Sequence, residues 1–511
     1  MEENKISKGK EILAILLLTM VIATGTFAWI VWSSKDNTKM NVTIGDLADV
    51  SFKTGNDINI SNLSPSFYYD DGALTEFSVR KKKGLTTELN TSIYLDITSI
   101  SDELKNDNFK YVLLSSTDGN TYNEVISSSF KDASVGKLDI VTDTPLTDGK
   151  TYYKFYIWID GNNENNETMQ GKSLKGTLNV EVSTPPVNAI NLIEGLDTGS
   201  TGDSGSGVYK VEHSAISSGS ATGSTIPAVT DYRYYGPSPD NYICLDMEGQ
   251  STCPDKHLYR IIGSIYEEKE NTNRIKVIKA TSLTDGTTSK FSWDYKVNNG
   301  VGSYSNIWAT ITSGNYSNSL TSGSQLMKLL NGGLWWNGES GSYYNNSTTA
   351  TTVNFTNYKL SDKAKSYITT SRYYLGGYNN NPPITTEMYR YERGTLRYKT
   401  DRALYWDGYV GLMYSSDYGY AAGNTCATVT KLWDYSKECY KKDWIHNSKV
   451  QWLMTPYSGD HDVVFGVDLT GCVDSVSNSY YSRSVSPTFY LTSTTTIVSG
   501  TGTSTDPYIL S

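Results

Sequence analysis

YSGDHDVVFGVDLTGCVDSVSNSYYSRSVS, running from Tyr457 to Ser486, is the stretch on which the fold of the C-terminal half turns. Asn, Ser, Asp, Gly, Tyr, His and Cys dominate it, and it holds no Lys, Glu, Gln, Met or Trp, although Lys and Glu are common elsewhere. Its apolar residues are nonetheless ordered. Val463, Phe465, Val467 and Leu469 recur at period two, Thr470-Gly471 supplies a turn, and Val473 and Val476 resume the pattern. That alternation predicts a β-hairpin with one fixed inner face. The outer face falls to Tyr457, Ser458, Asp460, His461, Asp462, Asp468, Asp474, Asn478, Tyr480, Tyr481 and Arg483. Tyr, Ser, Gly and Asn suit a binding surface, because Tyr gives large contact area at low entropic cost. The residues alone leave two readings, a solvated hairpin or a ligand-binding face.

At 511 residues the chain exceeds one typical core, so two or three domains are expected. Forty-four basic against fifty-four acidic residues leave a net charge of −10. The one basic run, Arg80-Lys81-Lys82-Lys83, sits between strand patterns and reads as a solvated loop, so nucleic acid is not an expected partner. Forty tyrosines among abundant Ser, Thr, Asn and Gly give the texture of an exported β protein.

The N-terminus points the same way. Met1–Lys10 is short and net basic, and Ile12–Trp32 is apolar apart from Thr19, Thr24, Gly25 and Thr26. That length spans a bilayer, with Trp29 and Trp32 where interfacial aromatics sit. Residues 1–33 are therefore expected to form an N-terminal transmembrane anchor. Thr26-Phe27-Ala28 also offers a signal-peptidase site, and cleavage after Ala28 would release the protein. Either way the chain beyond Ser33 is expected outside the cytoplasm, at the cell surface.

In that oxidising setting, Cys244 with Cys253 and Cys426 with Cys439 read as local disulfides, leaving Cys472 free. Neither pair has CxxC spacing and only four histidines occur, so no metal and no cofactor is expected. Asp160–Glu167 lacks the acidic alternation of a calcium loop and reads as a polar hairpin loop. Asp460-His461-Asp462 is the only cluster suggestive of acid–base work, but adjacent strand residues point to opposite faces, so no catalytic residue is assigned and no enzyme is expected.

The expected class is mainly β, with an α+β C-terminal domain. From 40 to 183 a β-sandwich is expected: Ile93, Leu95 and Ile97 alternate with polar neighbours, as do Tyr153, Phe155, Ile157 and Ile159, then Leu178, Val180 and Val182. Residues 184–230, rich in Gly, Ser and Thr, read as a flexible tether. A second domain is expected over 231–511, with strands at Tyr242–Leu245, Leu258–Ile265 and Ile275–Ala280 and short helices near Ser324–Leu330 and Leu360–Tyr367.

Two resemblances accompany these readings. GTFA at Gly25–Ala28, NVTIGDL at Asn41–Leu47 and YYKFYIWIDGNNENNETMQGKSLKGTLNVEV at Tyr152–Val182 resemble the TasA/camelysin family of exported fibre-forming surface proteins. The resemblance implies a sandwich, a leader cleaved near Ala28 and a freed strand able to complement a neighbour. This chain departs from it at Trp29-Ile30-Val31-Trp32, which extends the apolar run into an anchor, and it lacks HExxH, so the protease activity reported for some members is not carried over. YRIIG, YVGLMYSSDYGYA, QWLMTP and the closing GTGTSTDPYIL resemble Gram-positive surface modules with a C-type-lectin-like fold of the formylglycine-generating-enzyme type. Ser486 stands where relatives carry Arg.

Some C-type-lectin-like proteins end in a segment diversified by a retroelement that mutates adenines of asparagine codons. The residue types of Tyr457–Ser486 fit that chemistry. The resemblance thus implies a membrane-anchored surface protein whose head binds an extracellular protein or glycan through a variable face. The alternative is a structural fibre or biofilm-matrix protein without a specific ligand. Calcium-dependent sugar motifs are absent, so glycan recognition would rest on aromatic stacking, as at Trp335-Trp336, Tyr343-Tyr344 or Tyr480-Tyr481.

Overall fold

A computed structural model describes residues 40–511 apart from 45–46, 54, 62, 86–87, 163–165, 299–300, 310, 313–314, 317–322 and 401. The leader expected over 1–33, with its apolar span Ile12–Trp32, lies outside the described residues. Among those described, no helix is long and apolar enough to cross a membrane. The chain is mainly β and divides into two compact units, Met1–Pro185 and Pro186–Ser511.

The first unit is a β-sandwich of a seven-stranded and a four-stranded sheet. Its central strand, Lys150–Asp160, lies antiparallel between Ala73–Lys81 and Phe109–Ser116. The period-two residues Tyr153, Phe155, Ile157 and Ile159 point into the core. They meet Ile93, Leu95 and Ile97 from Asn90–Ile100 and Leu178 and Val182 from Leu174–Ser183, the paired strands of the facing sheet. Burying such aliphatic and aromatic side chains is worth about 1.5–3 kcal/mol each, which is what holds the two sheets face to face.

The second unit is organised by a ten-stranded sheet. Leu258–Glu267 pairs on one side with Thr272–Lys279 and on the other with both Tyr242–Cys244 and Val229–Tyr235. A β-bulge between Ile261 and Gly263 makes room for the second of these partners. Gly263 is required there, since a Cβ would fall 2.2 Å from the Tyr232 carbonyl oxygen. Helices form where a serine can cap them: Ser324 accepts from Met327 N–H ahead of Gln325–Leu330, and Ser361 from Ala364 N–H ahead of Asp362–Ser366.

The tether expected over 184–230 is corrected by the structure. Ala189–Gly195 is a helix capped by Asn188, and Gly207–His213 pairs along its whole length with Val229–Tyr235. The second domain therefore starts near residue 186 rather than 231. Sparse apolar residues decide this: Ile193, Val208, Tyr209, Ile216 and Ile226 are all buried despite their polar surroundings.

Against this sheet lies a buried ionic cluster. Asp417, in the helix Ser415–Ala421, accepts from Arg233 at 3.0 Å and from Lys276 at 2.5 Å, and it also accepts from the Tyr414 backbone N–H that opens the helix. Arg233 reaches back to Asp231, which also contacts His213 and accepts from Tyr266 N–H. Burial alone would raise the Asp417 and Asp231 carboxyls. The facing cations outweigh it, Lys276 and Arg233 for Asp417 and Arg233 for Asp231, and both carboxyls are held below the usual range.

Asp417→Asn is expected to cost about 3–5 kcal/mol, because it leaves buried cations without their counter-charge. The sign with pH follows from the depression. The stabilisation is complete above the ordinary aspartate value of 3.8 and is lost as the pH falls through the folded-state values. Thermal melts at about pH 7 and about pH 3 test both; an Asp417→Asn protein melting like the parent at neutral pH would remove the cluster from the stability of the unit.

Candidate ligand-binding face

The stretch Tyr457–Ser486 folds as Val463–Val467 paired with Val473–Asn478, inside a three-stranded sheet whose third member is Gln451–Pro456. The turn falls at Asp468–Cys472. Asp468 Oδ1 accepts from Thr470 N–H, Thr470 Oγ1 and Cys472 N–H. Gly471 takes φ 86°, a left-handed conformation that glycine alone adopts freely, and its carbonyl accepts from Tyr418 Oη.

The strict alternation does not survive. A bulge between Val464 and Gly466 puts consecutive side chains, Val464 and Phe465, fully into the core, while Val463 is only half-buried. Val467 and Val473 are buried as expected, but Leu469 is 63% exposed, because the chain has already left the strand for the turn. The side chain of Val476 lies outside the described set.

The outward set divides in three. Ser458 and Asp462 are buried: Ser458 N–H donates to the Tyr378 carbonyl, and Asp462 holds the hairpin, its Oδ2 accepting from Asn478 Nδ2 and its carbonyl from Ser479 N–H. Asp468 and Asp474 sit at the turn end, since Asp474 pairs with Gly466, whereas Asn478 pairs with Val463 at the opposite end. At about 3.3 Å per residue, the two ends of these strands are roughly 13 Å apart. Only the remaining residues gather. Asp460 and His461 are half-exposed, Tyr481 is 36% exposed, and Tyr457, Tyr480 and Arg483 are half-buried beside them.

What brings these residues together is a side chain that sequence reasoning missed. Asn306 Nδ2 lies 2.9 Å from each of the carbonyl oxygens of Tyr457, Asp460 and Val463, and Asn306 N–H donates to the His461 carbonyl. The loop 457–463 is thus wrapped around one buried amide. Arg402 adds a bond to the His461 carbonyl and another to Ser305 Oγ.

From the same distant segment comes Tyr304, whose ring lies 4.5 Å from Tyr480 and 6.3 Å from His461. Tyr295 stacks beyond it at 6.4 Å, and Tyr480, Tyr481 and the Arg483 guanidinium continue the row, at 4.6 Å and 5.0 Å respectively. The result is an arc of aromatic rings ending in a cation. No local signal marked Tyr304 or Asn306, since each lies more than a hundred residues from the hairpin it serves. Among the aromatic pairs singled out above, Trp335 and Tyr343 are in the core, and Tyr480-Tyr481 is the pair with neither ring there.

Among the described residues, two side-chain groups bring possible ligating atoms within 4.8 Å of one another: Asp460, His461 and Asp462, and separately Asp246, Glu248 and His257. Their atoms are already engaged internally. His461 Nδ1 meets Asp460 at 2.8 Å, and Glu248 pairs with Lys256 at 2.8 Å and His257 at 3.2 Å. Cys244–Cys253 and Cys426–Cys439 are disulfides, and Cys472 is free and buried, its Sγ accepting from Ser436 N–H. No protein-family model matches the sequence, and no curated protein matches it.

Behind the arc, Asp294 is buried, accepts from Gln325 N–H and donates its own N–H to the Ser479 carbonyl. Burial pushes its carboxyl up to about 6, more than the nearby Lys296 pulls it down. The ionised form therefore costs stability above about pH 6, and the cost vanishes below the ordinary value of 3.8. Asp294→Asn is expected to raise stability by on the order of 2–3 kcal/mol at about pH 7.5 and by almost nothing at about pH 4. In the hairpin, Phe465→Ala should cost about 3–5 kcal/mol while Leu469→Ala stays within about 0.5 kcal/mol. Denaturant melts of the variants check each value, and a large loss at Leu469 would contradict the turn described.

Proposed function

We propose that this chain is a cell-surface protein whose C-terminal unit is a C-type-lectin-like head, and that the head binds an extracellular protein or glycan through the arc Tyr295, Tyr304, Tyr480, Tyr481, Arg483 and His461. The observation carrying the proposal is that these side chains converge from separate chain segments onto a braced platform and stay partly exposed. A monomeric core hides aromatic rings, whereas a binding surface keeps them at hand, and Tyr and Arg are the residues on which binding energy concentrates. Residue types support a diversified face as well, because Asp460, His461, Tyr480, Tyr481 and Arg483 stay partly exposed beside a buried scaffold.

The two disulfides are the mark of an oxidising, extracellular environment. The sandwich, the apolar leader and the resemblance to exported surface proteins support the same location, with the first unit as a stalk. No step of chemistry is assigned to the head. At the face, Asn306 and Arg402 hold the loop, and Asp460 bonds to His461.

Exchanging Asp460, His461, Tyr480, Tyr481 and Arg483 as a block is expected to change partner selection on host-surface protein and glycan arrays while leaving the melting temperature within a few degrees. Capture should persist in excess chelator. Unchanged partner selection after the exchange would end the proposal, and loss of capture with chelator would assign a metal to Asp460, His461 and Asp462. A gene segment encoding Tyr457–Ser486 with a nearby adenine-bearing template copy would establish diversification.

A further inference from the structure

Beside the arc, under Tyr398 and Tyr457, a narrow cleft opens into the unit. Trp293, Trp308, Arg397 and Ser458 line it as well, and it encloses about 20 Å³. That is room for roughly one small group, since a water-sized occupant needs about 10–15 Å³. The lining is distinctive in its hydrogen-bonding sign. Trp308 is 2% exposed and Ser458 9% exposed, and among the described residues neither Trp308 Nε1 nor Ser458 Oγ has a hydrogen-bond partner. An indole N–H only donates.

Arg397 is half-buried and gives one N–H to the Arg402 carbonyl at 2.6 Å. Among the described residues no carboxylate pairs with it, and a guanidinium carries five donors and no acceptor. Among the described residues that line the cleft there is no Asp or Glu. The cavity thus offers buried donors and a guanidinium, in a chain of net charge −10. Leaving such donors dry costs about 1–3 kcal/mol each, so the cavity favours an occupant that accepts hydrogen bonds.

We propose that this cleft is a subsite for the carboxylate of an acidic sugar. The inference rests on the face being a ligand-binding surface and names the chemistry it selects. An ionised carboxylate is acceptor-only and suits the indole N–H of Trp308 and the hydroxyl of Ser458, with Arg397 supplying the charge-assisted bond. Its size fits the enclosed volume, so the carboxylate enters while the pyranose ring stays at the mouth. There the rings of Tyr398 and Tyr457 offer the flat apolar surface on which a sugar face stacks, and the arc beginning at His461, 6.2 Å from Tyr398, extends the platform for further residues of the glycan. Peptide ends are held instead by runs of backbone N–H, whereas the free donors here are side chains set among aromatic rings.

The test uses the full chain and follows tryptophan fluorescence, because Trp293 and Trp308 line the cleft, with saturation-transfer NMR as a second readout. The probes are the methyl glycosides of glucuronic acid and N-acetylneuraminic acid, against methyl glucoside and the glucuronamide as neutral counterparts. The expected result is saturable binding of an acidic glycoside and at least about tenfold weaker binding of the neutral ones. Arg397→Leu should weaken the acidic probe by roughly tenfold or more at an unchanged melting temperature, and Ser458→Ala by a few-fold.

Equal binding of acid and neutral probes, retention of affinity in Arg397→Leu, no saturation by any probe (a water only in the cleft), or tighter binding of a short peptide with a free C-terminus would each overturn the assignment. The two readings fail separately. If partner choice follows the block exchange of the arc but Arg397→Leu binds acidic sugars like the parent, the subsite falls and the face stands. If acidic sugars bind through Arg397 while the block exchange changes nothing, the face reading falls and the subsite stands.

Discussion

The second unit depends on one carboxylate. Asp417 is fully buried, and each of its oxygens is committed, Oδ1 to Arg233 and Oδ2 to Lys276 and to the N–H that starts its own helix. Arg233 belongs to the strand Val229–Tyr235 and Lys276 to Thr272–Lys279, so a single side chain fixes a helix against the flanking strands of Leu258–Glu267. A buried ion pair is a poor source of net stability compared with a hydrophobic replacement, because both charges must leave water. What it supplies is intolerance of alternatives. Any register that moves Lys276 or Arg233 by one residue strands a charge in the core. Aromatic rings close the cluster from above and below: Lys276 lies 4.4 Å over Tyr414, Arg393 3.4 Å over Tyr389, and His213 stacks on Tyr389 at 3.7 Å. Many of the tyrosines therefore serve the core.

How much of this was legible depended on whether the deciding signal was local. Period-two alternation marks Asn90–Ile100, Lys150–Asp160 and Leu174–Ser183, since a half-buried strand writes its two faces directly into the sequence, whereas Leu258–Glu267 and Thr272–Lys279 read as apolar runs. The cysteine pairs were readable from proximity, and the short helices expected near Ser324–Leu330 and Leu360–Tyr367 are Gln325–Leu330 and Asp362–Ser366. The segment 184–230 was misread because Gly, Ser and Thr outnumber the few apolar residues that pin it, and a strand of seven residues needs only a few buried side chains when its whole backbone ladder is paired. The hairpin was found, but a bulge at Val464 and Gly466 shifts the phase by one residue, which no count of alternation reveals.

The candidate face shows the same division. Its hairpin half was visible in the residue types of Tyr457–Ser486. Its other half, Tyr295, Tyr304, Tyr398 and Asn306, carries no local pattern and belongs to the site only through tertiary pairing. Asn306 is the clearest case: an asparagine in a polar stretch is unremarkable until its amide is seen among three carbonyls of a loop 151 to 157 residues away. The residues best placed to vary are those that hang on this frame without bonding to it. Ser458 and Asp462 lie in the same window yet are part of the frame, so compositional freedom along the stretch is not uniform.

The start of the second unit has a mechanical consequence. Val187–Asn188 is an edge strand held by two residue pairs to Thr496–Ser499, with Asn188 Nδ2 bonded to the Ser493 carbonyl and its Oδ1 capping the helix Ala189–Gly195. Any tension transmitted along the backbone from residue 185 reaches this short strap before it reaches the ionic cluster or either disulfide. The strap peels one pair at a time, whereas the interior resists as a block. Under a pull, the unit sheds its first few residues and lengthens by that much, while the surface at Tyr304 and Tyr480 keeps its shape.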